Sequence, residues 1–444
     1  MVTDLTTGDP FRVIWRFSLP MILSMIFQQM YQLADGMIAG RYIGMDALGA
    51  VGASHSITTL FLAAATGSAI GVSVVVSQQF GAKDLKQVHH AVSTAVRTLM
   101  AFAAILTLVD YPLSGALLQL LGTPDELMEF SRLYLQIYVL GIPFLFLYNL
   151  ANGIFNALGD SKTPLYFLIL SSVLNVVLDI LLVVQFDLDI FGIAFATWLA
   201  RGIAGVAAIC LVLRRVRVLC PPVEKKFDKA LCYEMMRIGI PTIIQQSCTG
   251  LGQMSVQSVI NGYGHAVVAG YSAAFKINTL VMMSMNSLSS AVSSYVAQNL
   301  GAKDLARIRQ GIRVGLKLML TMAILVVVTL LAGGSFWIQV FLEEGVNEMA
   351  IQAGTGFLYI VSPAYLLVAF KFVSDATLRG IGAMKEFMVA NFADLFMRII
   401  FSIVMSHFFG YLGIWWVWPM AWLVGTSLSM GFCFKKMLFL QKNL

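Results

Sequence analysis

Acidic and amide side chains interrupt two otherwise apolar stretches of the sequence. The first stretch has polar residues spaced i, i+3, i+4 and i+7, as on one face of an α-helix: Gln28, Tyr31, Gln32 and Asp35. The second has Asn175 and Asp179, four residues apart and so also on one helical face. A carboxylate in an apolar segment is costly unless it is paired, hydrated or neutralised, so Asp35 and Asp179 predict a site for a proton or a metal cation. The amides fit equally well a structural role, in which they bond neighbouring helices.

The composition predicts the environment of these helices. Of the 444 residues, 59% are hydrophobic and 12% are charged, whereas about a quarter of the residues in a soluble domain are charged. A chain this apolar has more hydrophobic surface than an ordinary core can bury, so we predict an all-α integral membrane protein. We assign the formal charge of +6 to cytoplasmic loops rather than to a nucleic-acid surface. The five cysteines show no metal-ligand spacing.

Twelve apolar runs are long enough to cross a bilayer, which takes about 20 helical residues. The first six lie near 15–39, 47–77, 91–112, 129–153, 165–186 and 191–213, and the second six near 237–260, 267–297, 314–335, 349–377, 387–408 and 414–434. A basic connector at 214–236 separates the two sets. We therefore predict two six-helix bundles, residues 1–213 and 237–444, joined by a cytoplasmic linker.

A repeated pentapeptide indicates that the two bundles are homologous. Gly-Ala-Lys-Asp-Leu occurs at 81–85 and again at 301–305, each time between two apolar runs. Two further echoes keep the same order and a similar offset: Arg16-Phe-Ser-Leu-Pro20 with Arg237-Ile-Gly-Ile-Pro241, and Gly159-x-x-Lys162 with Gly382-x-x-Lys385. Three echoes in one order predict a duplicated six-helix unit.

The loop charges predict the orientation of the chain. With the N-terminus in the cytoplasm, the cytoplasmic loops hold most loop lysines and arginines, and the opposite loops hold a single base, Arg41, and a set of acids. Because each bundle has an even number of spans, both bundles enter the membrane from the same side and both termini are cytoplasmic. This predicts a parallel repeat with a pseudo-two-fold axis along the membrane normal, an architecture of alternating-access transporters.

The second bundle lacks the acids of the first. At equivalent positions, Asp35 aligns with Val256 and Asp179 with Ser402. We infer that duplication copied the scaffold, while the acid pair belongs to one bundle. Pro20, about four turns before Asp35 in the first span, removes a backbone donor and favours a bend there.

Other charged residues lie within the apolar runs of the second bundle: Lys276, Lys371, Asp375, Asp394 and Arg398. We predict that Asp394 and Arg398, four residues apart, form an ion pair. We expect Asp375 at the membrane interface. Lys371 has no evident acidic neighbour in sequence, so it is a candidate for the substrate path or for coupling, or it pairs with a distant acid. Arg201 of the first bundle has the same two possibilities.

The sequence resembles the multidrug and toxic compound extrusion (MATE) transporters over essentially its full length. The resemblance rests on the following segments: the Gln-x-x-Gly-Ala turns after spans 2 and 8, Tyr31-Gln-Leu-Ala-Asp35, Gly159-Asp-Ser-Lys-Thr-Pro164, and Leu174-Asn-Val-Val-Leu-Asp179. Among its branches the sequence is most similar to the bacterial DinF-like one. It departs from the NorM branch, which has an acidic site in its second bundle, because span 7 has no acid between Pro241 and Gly262.

The resemblance also implies which residues bind the coupling ion. A site for H⁺ or Na⁺ would comprise Asp35, Asn175, Asp179 and Thr197. A span 4 tyrosine would complete it, and both Tyr134 and Tyr138 qualify. The residues expected on the substrate path or in coupling are these tyrosines with Pro20, Gln28, Tyr31 and Lys371.

The function implied by the resemblance is secondary active efflux. Organic compounds, often cationic or amphipathic, would leave by alternating access as H⁺ or Na⁺ enters. We expect a monomer in the cytoplasmic (inner) membrane whose partners are small organic substrates and membrane lipid, without cofactor, nucleotide or nucleic acid.

The alternative is a flippase for lipid-linked oligosaccharides, which has a related fold and needs a cationic cleft. Four bases keep that alternative open: Arg201, Lys276, Lys371 and Arg398. An enzyme is disfavoured, because the histidines are dispersed and no Walker-type phosphate loop is present. A channel is disfavoured because channels often assemble as rings of subunits, unlike a duplicated two-bundle chain.

Overall fold

Long helices dominate the fold, as the apolar runs bounded by Gly, Pro and polar turns predict. The structure, a computed structural model, describes residues 3–38, 42, 45–223, 227–342 and 348–443, without the side chains of 32–37, 45–48, 251 and 443. The α-helices of this part are α1 Pro10–Ile38, α2 Met45–Gly81, α3 Leu85–Leu120, α4 Asp125–Leu140, α5 Ile142–Ala157, α6 Lys162–Asp179, α7 Asp189–Leu219, α8 Lys229–Asn261, α9 His265–Gly301, α10 Leu305–Phe341, α11 Glu348–Val361, α12 Tyr365–Gly380 and α13 Met384–Asn443.

These helices account for twelve spans. Nine helical stretches of the described chain, and the pair α4 and α5 bent by 47°, are each long and apolar enough to cross a membrane. One of the nine, α13, has 60 residues and is broken at Gly410, where φ is +61°; an unbroken helix of that length would be roughly 90 Å long. With α13 counted as two spans, and with α8, whose apolar run is interrupted by glutamines and serines, the total is twelve. The predicted all-α membrane fold is confirmed.

The two Gly-Ala-Lys-Asp-Leu turns have the same conformation. Lys83 and Lys303 both have left-handed backbones, with φ of 59° and 57°. Asp84 caps α3 by accepting a hydrogen bond from the Gln87 amide, and Asp304 caps α10 by accepting one from the Arg307 amide. An N-terminal aspartate satisfies backbone donors that the first helical turn leaves unpaired. The repeat in sequence is therefore a repeat in hydrogen bonding.

A second pair of turns repeats in the same way. Gly159 and Gly382 have φ of +74° and +75°, a region that favours glycine. The amide of the next residue then bonds five residues back, from Asp160 to Phe155 O at 2.8 Å and from Ala383 to Leu378 O at 2.8 Å. The turns differ in one respect, because only the first carries an acid.

Contacts divide the described chain into two units. Unit 1 comprises Met1–Asp4 and Pro20–Ile243, and unit 2 comprises Leu5–Leu19 and Ile244–Leu444. The change of unit falls at Pro20 in α1 and two residues after Pro241 in α8, so each of these helices contributes one part to each unit. The predicted domains, 1–213 and 237–444, follow the sequence repeat rather than these contacts.

Glycines allow the first half of α8 to pack closely within unit 1. A Cβ at Gly67 of α2 would lie 2.7 Å from the backbone nitrogen of Ile243, and one at Gly71 would lie 2.5 Å from the carbonyl oxygen of Met235. Within unit 2, the Leu5 amide donates to Gln298 at 3.0 Å, and Asn299 donates to the Leu5 carbonyl at 3.2 Å.

Candidate functional site

Three of the predicted ion-site residues meet in unit 1. Asn175 and Asp179 lie one turn apart on α6, and Thr197 lies on α7; their exposed fractions are 2%, 0% and 7%. With the Asn175 amide oriented to satisfy both neighbours, its nitrogen donates to Asp179 Oδ2 at 3.0 Å and its oxygen accepts from the Thr197 hydroxyl at 3.3 Å. The group combines a carboxylate, an amide oxygen and a hydroxyl. These are hard oxygen ligands that suit Na⁺, and the carboxylate alone suits H⁺.

The backbone after Asp179 departs from α-helical geometry. Residues Ile180–Gln185 form a π-helical segment that continues directly from α6. Its end is marked by the Phe186 amide, which donates to the Leu181 carbonyl at 3.2 Å. Single π-helical turns are rare and occur frequently at functional sites, because the extra residue shifts the side chains that follow. Asp179 therefore lies where the helix changes its register.

Helix α1, which carries Asp35 of the predicted ion site, is continuous through Pro20 and extends to Ile38. Gln28 and Tyr31 are half-buried. The side chain of Asp35 lies outside the described residues, so its predicted position facing Asn175 and Asp179 stays a prediction. Its backbone is helical, which keeps Asp35 on the face of Gln28 and Tyr31.

Aromatic residues and a guanidinium lie next to Thr197. A small cavity of about 10 Å³ is lined by both candidate tyrosines with neighbours from α5 and α7: Tyr134, Ile137, Tyr138, Gly141, Leu145, Ala194, Thr197, Trp198 and Arg201. The Arg201 guanidinium lies 5.4 Å from the centre of the Tyr138 ring. Tyr134 packs against Val183 and Ile193. The structure thus brings Tyr134 and Tyr138 to the same cavity as Thr197.

In unit 2, Lys371 is paired with an acid, which is one of the two possibilities that the sequence left open. Its ammonium lies 2.8 Å from Asp375 Oδ2 and 2.7 Å from Asn391 Oδ1. The Ser429 hydroxyl donates to the other Asp375 oxygen at 2.6 Å. The exposed fractions of Lys371 and Asp375 are 3% and 4%.

The structure corrects one expectation about this pair. Asp375 is buried among these partners, and its predicted position at the membrane interface stays a prediction. Lys371 does have an acidic neighbour, one helical turn ahead of it on α12. The pairing removes the reason for placing Lys371 on the substrate path.

The predicted pair of Asp394 and Arg398 is confirmed. The Arg398 guanidinium lies 3.2 Å from Asp394 Oδ2 on α13. It also stacks 4.3 Å from the centre of the Trp418 ring, a cation–π contact. The acids of α12 and α13 are thus ion-paired, whereas Asp179 is bonded by a neutral amide.

An amide-lined groove between α8 and α9 was not predicted. It has a volume of about 340 Å³ and is lined by Gln253, Met254, Gln257, Ser258, Asn261, Tyr271 and Phe275. That volume is within the range of small-molecule sites, which combine apolar walls with a few polar groups. The spacing Gln253, Gln257 and Asn261 at i, i+4 and i+8 was the available sequence signal.

The sequence matches the MatE family profile twice, over residues 20–181 and again over 241–404. The chain belongs to the MatE family. The two matches correspond to the two predicted homologous halves, so the duplication is confirmed.

Two bacterial relatives are similar in sequence to nearly the whole chain. The chain is 30% identical over 97% of its length to the "Probable multidrug resistance protein YpnP" of Bacillus subtilis (strain 168), of which it covers 94%. It is 23% identical over 95% of its length to the "Multidrug export protein MepA" of Staphylococcus haemolyticus (strain JCSC1435), of which it covers 92%.

Solved MATE structures share the fold. A "multidrug resistance MATE family transporter of the MOP superfamily" in an outward-facing conformation superposes with a TM-score of 0.92 and 20% identity, covering 98% of each chain. A "MOP superfamily transporter from Pyrococcus furiosus" gives a TM-score of 0.91 and 20% identity, covering 99% of this chain and 98% of that one. MatE proteins are transporters rather than enzymes, and this chain is a multi-pass membrane protein of that family.

Proposed function

We propose that this protein, a multidrug efflux transporter, exchanges organic, often cationic or amphipathic, compounds for H⁺ or Na⁺ by alternating access. The observation that supports this most is the buried group of Asn175, Asp179 and Thr197, which offers a carboxylate and neutral oxygens inside a membrane span. An intramembrane carboxylate is characteristic of ion and proton pathways. Asp35 of α1 is proposed as the second carboxylate of this site.

The energetics of the exchange need only one ion. A cation that enters across about 100 mV supplies ~2.3 kcal/mol, which is sufficient for a gradient of nearly fifty-fold in an uncharged substrate. A singly charged cation exported for one ion moves no net charge, so its export draws on the concentration gradient of the ion instead. The ion drives export only if ion and substrate favour different states of the transporter. Asp179 meets this requirement when its protonation or ion occupancy changes the hydrogen bonds to Asn175 and Thr197, and with them the packing of α6 on α7.

The remaining assignments complete the proposal. The protein works as a monomer in the cytoplasmic membrane with both termini in the cytoplasm, and it needs no cofactor and catalyses no covalent step. Small organic substrates and membrane lipid are its partners.

A lipid-linked oligosaccharide flippase is not favoured. That function needs free cations for a pyrophosphate, and two of the four bases that kept it open are occupied. Lys371 is paired with Asp375, and Arg398 is paired with Asp394.

Transport in proteoliposomes tests the coupling. The purified protein is reconstituted, and efflux of a fluorescent cation is followed while a Na⁺ gradient or a pH gradient is imposed alone. We expect one of the two gradients to drive uphill transport and the other to have no effect. Equal downhill flux under both gradients, with no uphill phase, would contradict antiport.

A further inference from the structure

Among the described residues, the cavity beside Thr197 is lined by hydrogen-bond donors and by no carboxylate. Its polar lining residues are Tyr134, Tyr138, Thr197, Trp198 and Arg201. Arg201 has five donors and no acceptor, and the indole of Trp198 has one donor and no acceptor. Among the described side chains, no carboxylate forms an ion pair with Arg201. A pocket with this lining is complementary to a hydrogen-bond acceptor that carries negative charge.

One of these donors has no partner inside the described structure. The Trp198 Nε1 atom is fully shielded from solvent, and no described group accepts its hydrogen bond. The indole ring is held in place by a stack on Phe195, with ring centres 5.4 Å apart, and by an edge contact with Phe144 at 5.3 Å. A buried N–H without an acceptor is unfavourable, so a ligand oxygen would supply what the protein does not.

Aromatic rings surround the guanidinium. Arg201 lies over Tyr138, and Tyr138 stacks on Phe61 of α2 with ring centres 6.4 Å apart. Tyr134 lies 6.5 Å from Tyr138. Rings on these sides favour a ligand whose charged group is attached to a flat apolar body.

The size of the cavity limits what enters it. Its volume of about 10 Å³ corresponds to the space of roughly one water molecule. It therefore accommodates one oxygen of a ligand's head group, while the body of the ligand stays outside.

We propose that this pocket, formed by Tyr138, Trp198 and Arg201, binds the carboxylate or similar anionic oxygen of a transported aromatic compound. The transporter would then take zwitterionic and anionic amphiphiles as well as cations. This inference rests on the proposed function only in treating the ligand as a transported substrate. Thr197 lines this pocket, and its hydroxyl also donates to Asn175. The pocket proposed to bind an anion is therefore connected to the predicted cation site through one hydroxyl group.

Two dyes that differ in one group provide the test. Rhodamine 19 has a free carboxylate, and rhodamine 6G is its ethyl ester with the same aromatic cation. Binding of each dye to the full-length protein in detergent is measured by fluorescence polarisation, without any ion gradient. For Arg201→Gln we expect the affinity for rhodamine 19 to fall at least roughly tenfold, as for loss of a charged hydrogen bond, and the affinity for rhodamine 6G to change less than about twofold.

Matched variants distinguish loss of the positive charge, loss of a hydrogen-bond donor and loss of the fold. Trp198→Phe keeps an aromatic ring and removes the N–H. It should lower the affinity for rhodamine 19 by a smaller factor, roughly threefold, and leave the affinity for rhodamine 6G unchanged. Arg201→Lys should retain part of the affinity that Arg201→Gln loses. Lys276→Gln removes an exposed cation of α9 and should change neither dye. Retained rhodamine 6G binding and an unchanged elution profile show that each variant is folded.

Several results would overturn the proposal. They are an equal loss of affinity for both dyes in Arg201→Gln, no loss of affinity for either dye, or no binding of rhodamine 19 by the native protein. Displacement of rhodamine 19 by an equimolar amount of phosphatidylglycerol would assign the pocket to a lipid head group instead of a substrate. Because no gradient is used, failure of ion-driven transport would refute the proposed antiport without touching this result.

Discussion

The two halves of the chain share their turns but not their charges. The caps at Asp84 and Asp304 and the left-handed glycines at 159 and 382 repeat closely. The buried acids do not repeat. Asp179 is bonded by the Asn175 amide, whereas Asp375 is paired with a lysine on its own helix. Duplication thus preserved the groups that terminate helices, while the partners of the buried acids differ.

This difference bears on protonation, because the described partner of Asp179 is a neutral amide and that of Asp375 is a cation. An acid bonded by neutral groups can take up a proton or a cation without leaving a partner charge exposed to lipid. An acid paired with a buried lysine cannot, because its neutralisation leaves an uncompensated charge in a low dielectric. We therefore propose that coupling depends on the first half and that the ion pairs of the second half contribute to stability.

The largest stability loss is expected for Asp375→Asn. It leaves the Lys371 ammonium buried without its carboxylate, which costs about 4 kcal/mol. The double variant Lys371→Met, Asp375→Leu removes both charges and should recover most of the loss. Thermal unfolding of the purified variants in detergent gives the comparison. A single variant as stable as the native protein would show that the pair is not structural.

A smaller loss is expected for Asp394→Asn. Arg398 loses its carboxylate but keeps its stacking on Trp418 at 4.3 Å, so we expect about 1–3 kcal/mol. Substrate export, normalised to folded protein, should stay near the native rate. If stability is unchanged and export is lost, the coupling site lies in the second half.

Asp160 is expected to make the contribution of the Gly159 turn to stability depend on pH. The equivalent turn at Gly382 has Ala383 in that position. Burial raises the pKa of Asp160, but hydrogen bonds from Arg215 and Thr163 outweigh burial, so the pKa lies below its ordinary value. A lowered pKa stabilises the fold above the ordinary carboxyl pKa, and that contribution is lost as the pH falls below about 4. Asp160→Asn should therefore lower the melting temperature at neutral pH, and the difference from the native protein should shrink towards pH 3. Ala383→Ser, an uncharged substitution at the equivalent turn, serves as the control, and its difference from the native protein should be the same at both pH values.

The smallest effects are expected at the repeated caps. Asp84→Ala and Asp304→Ala each remove one side-chain acceptor from a helix N-terminus, at a cost of ~1 kcal/mol. Because the two caps have the same geometry, the two losses should be similar within experimental error. Melting curves of both variants measure this, and a several-fold difference would show that the repeat in conformation is not a repeat in energetics.

The sequence was sufficient for the fold and for part of the site. Hydrophobic run lengths predicted twelve spans, and the offset of the pentapeptides predicted the duplication. The i, i+4 spacing put Asn175 beside Asp179, and the same spacing predicted the pair of Asp394 and Arg398. That spacing also joins Lys371 to Asp375, but the acid was assigned to the interface from its nearness to Arg379.

Contacts between helices could not be predicted from the sequence. Nothing in the local pattern indicates that Asn391 and Ser429 of α13 complete the shell of Asp375, since they are distant in sequence. The same holds for the tyrosines that surround Arg201. The change of contact unit inside α1 and α8 also depends on packing, because the apolar run continues through Pro20 and Pro241.

We propose that Asp179, together with Asp35, couples ion entry to export. The most direct measurement is substrate binding and counter-gradient transport on one preparation of Asp179→Asn, with Asp35→Asn prepared in parallel. Each substitution keeps the shape of the side chain and fixes it in a neutral form. We predict that both variants are folded, bind substrate within about twofold of the native affinity, and lose transport against a gradient. Retained uphill transport by both variants would contradict the account and place the coupling site elsewhere in the chain.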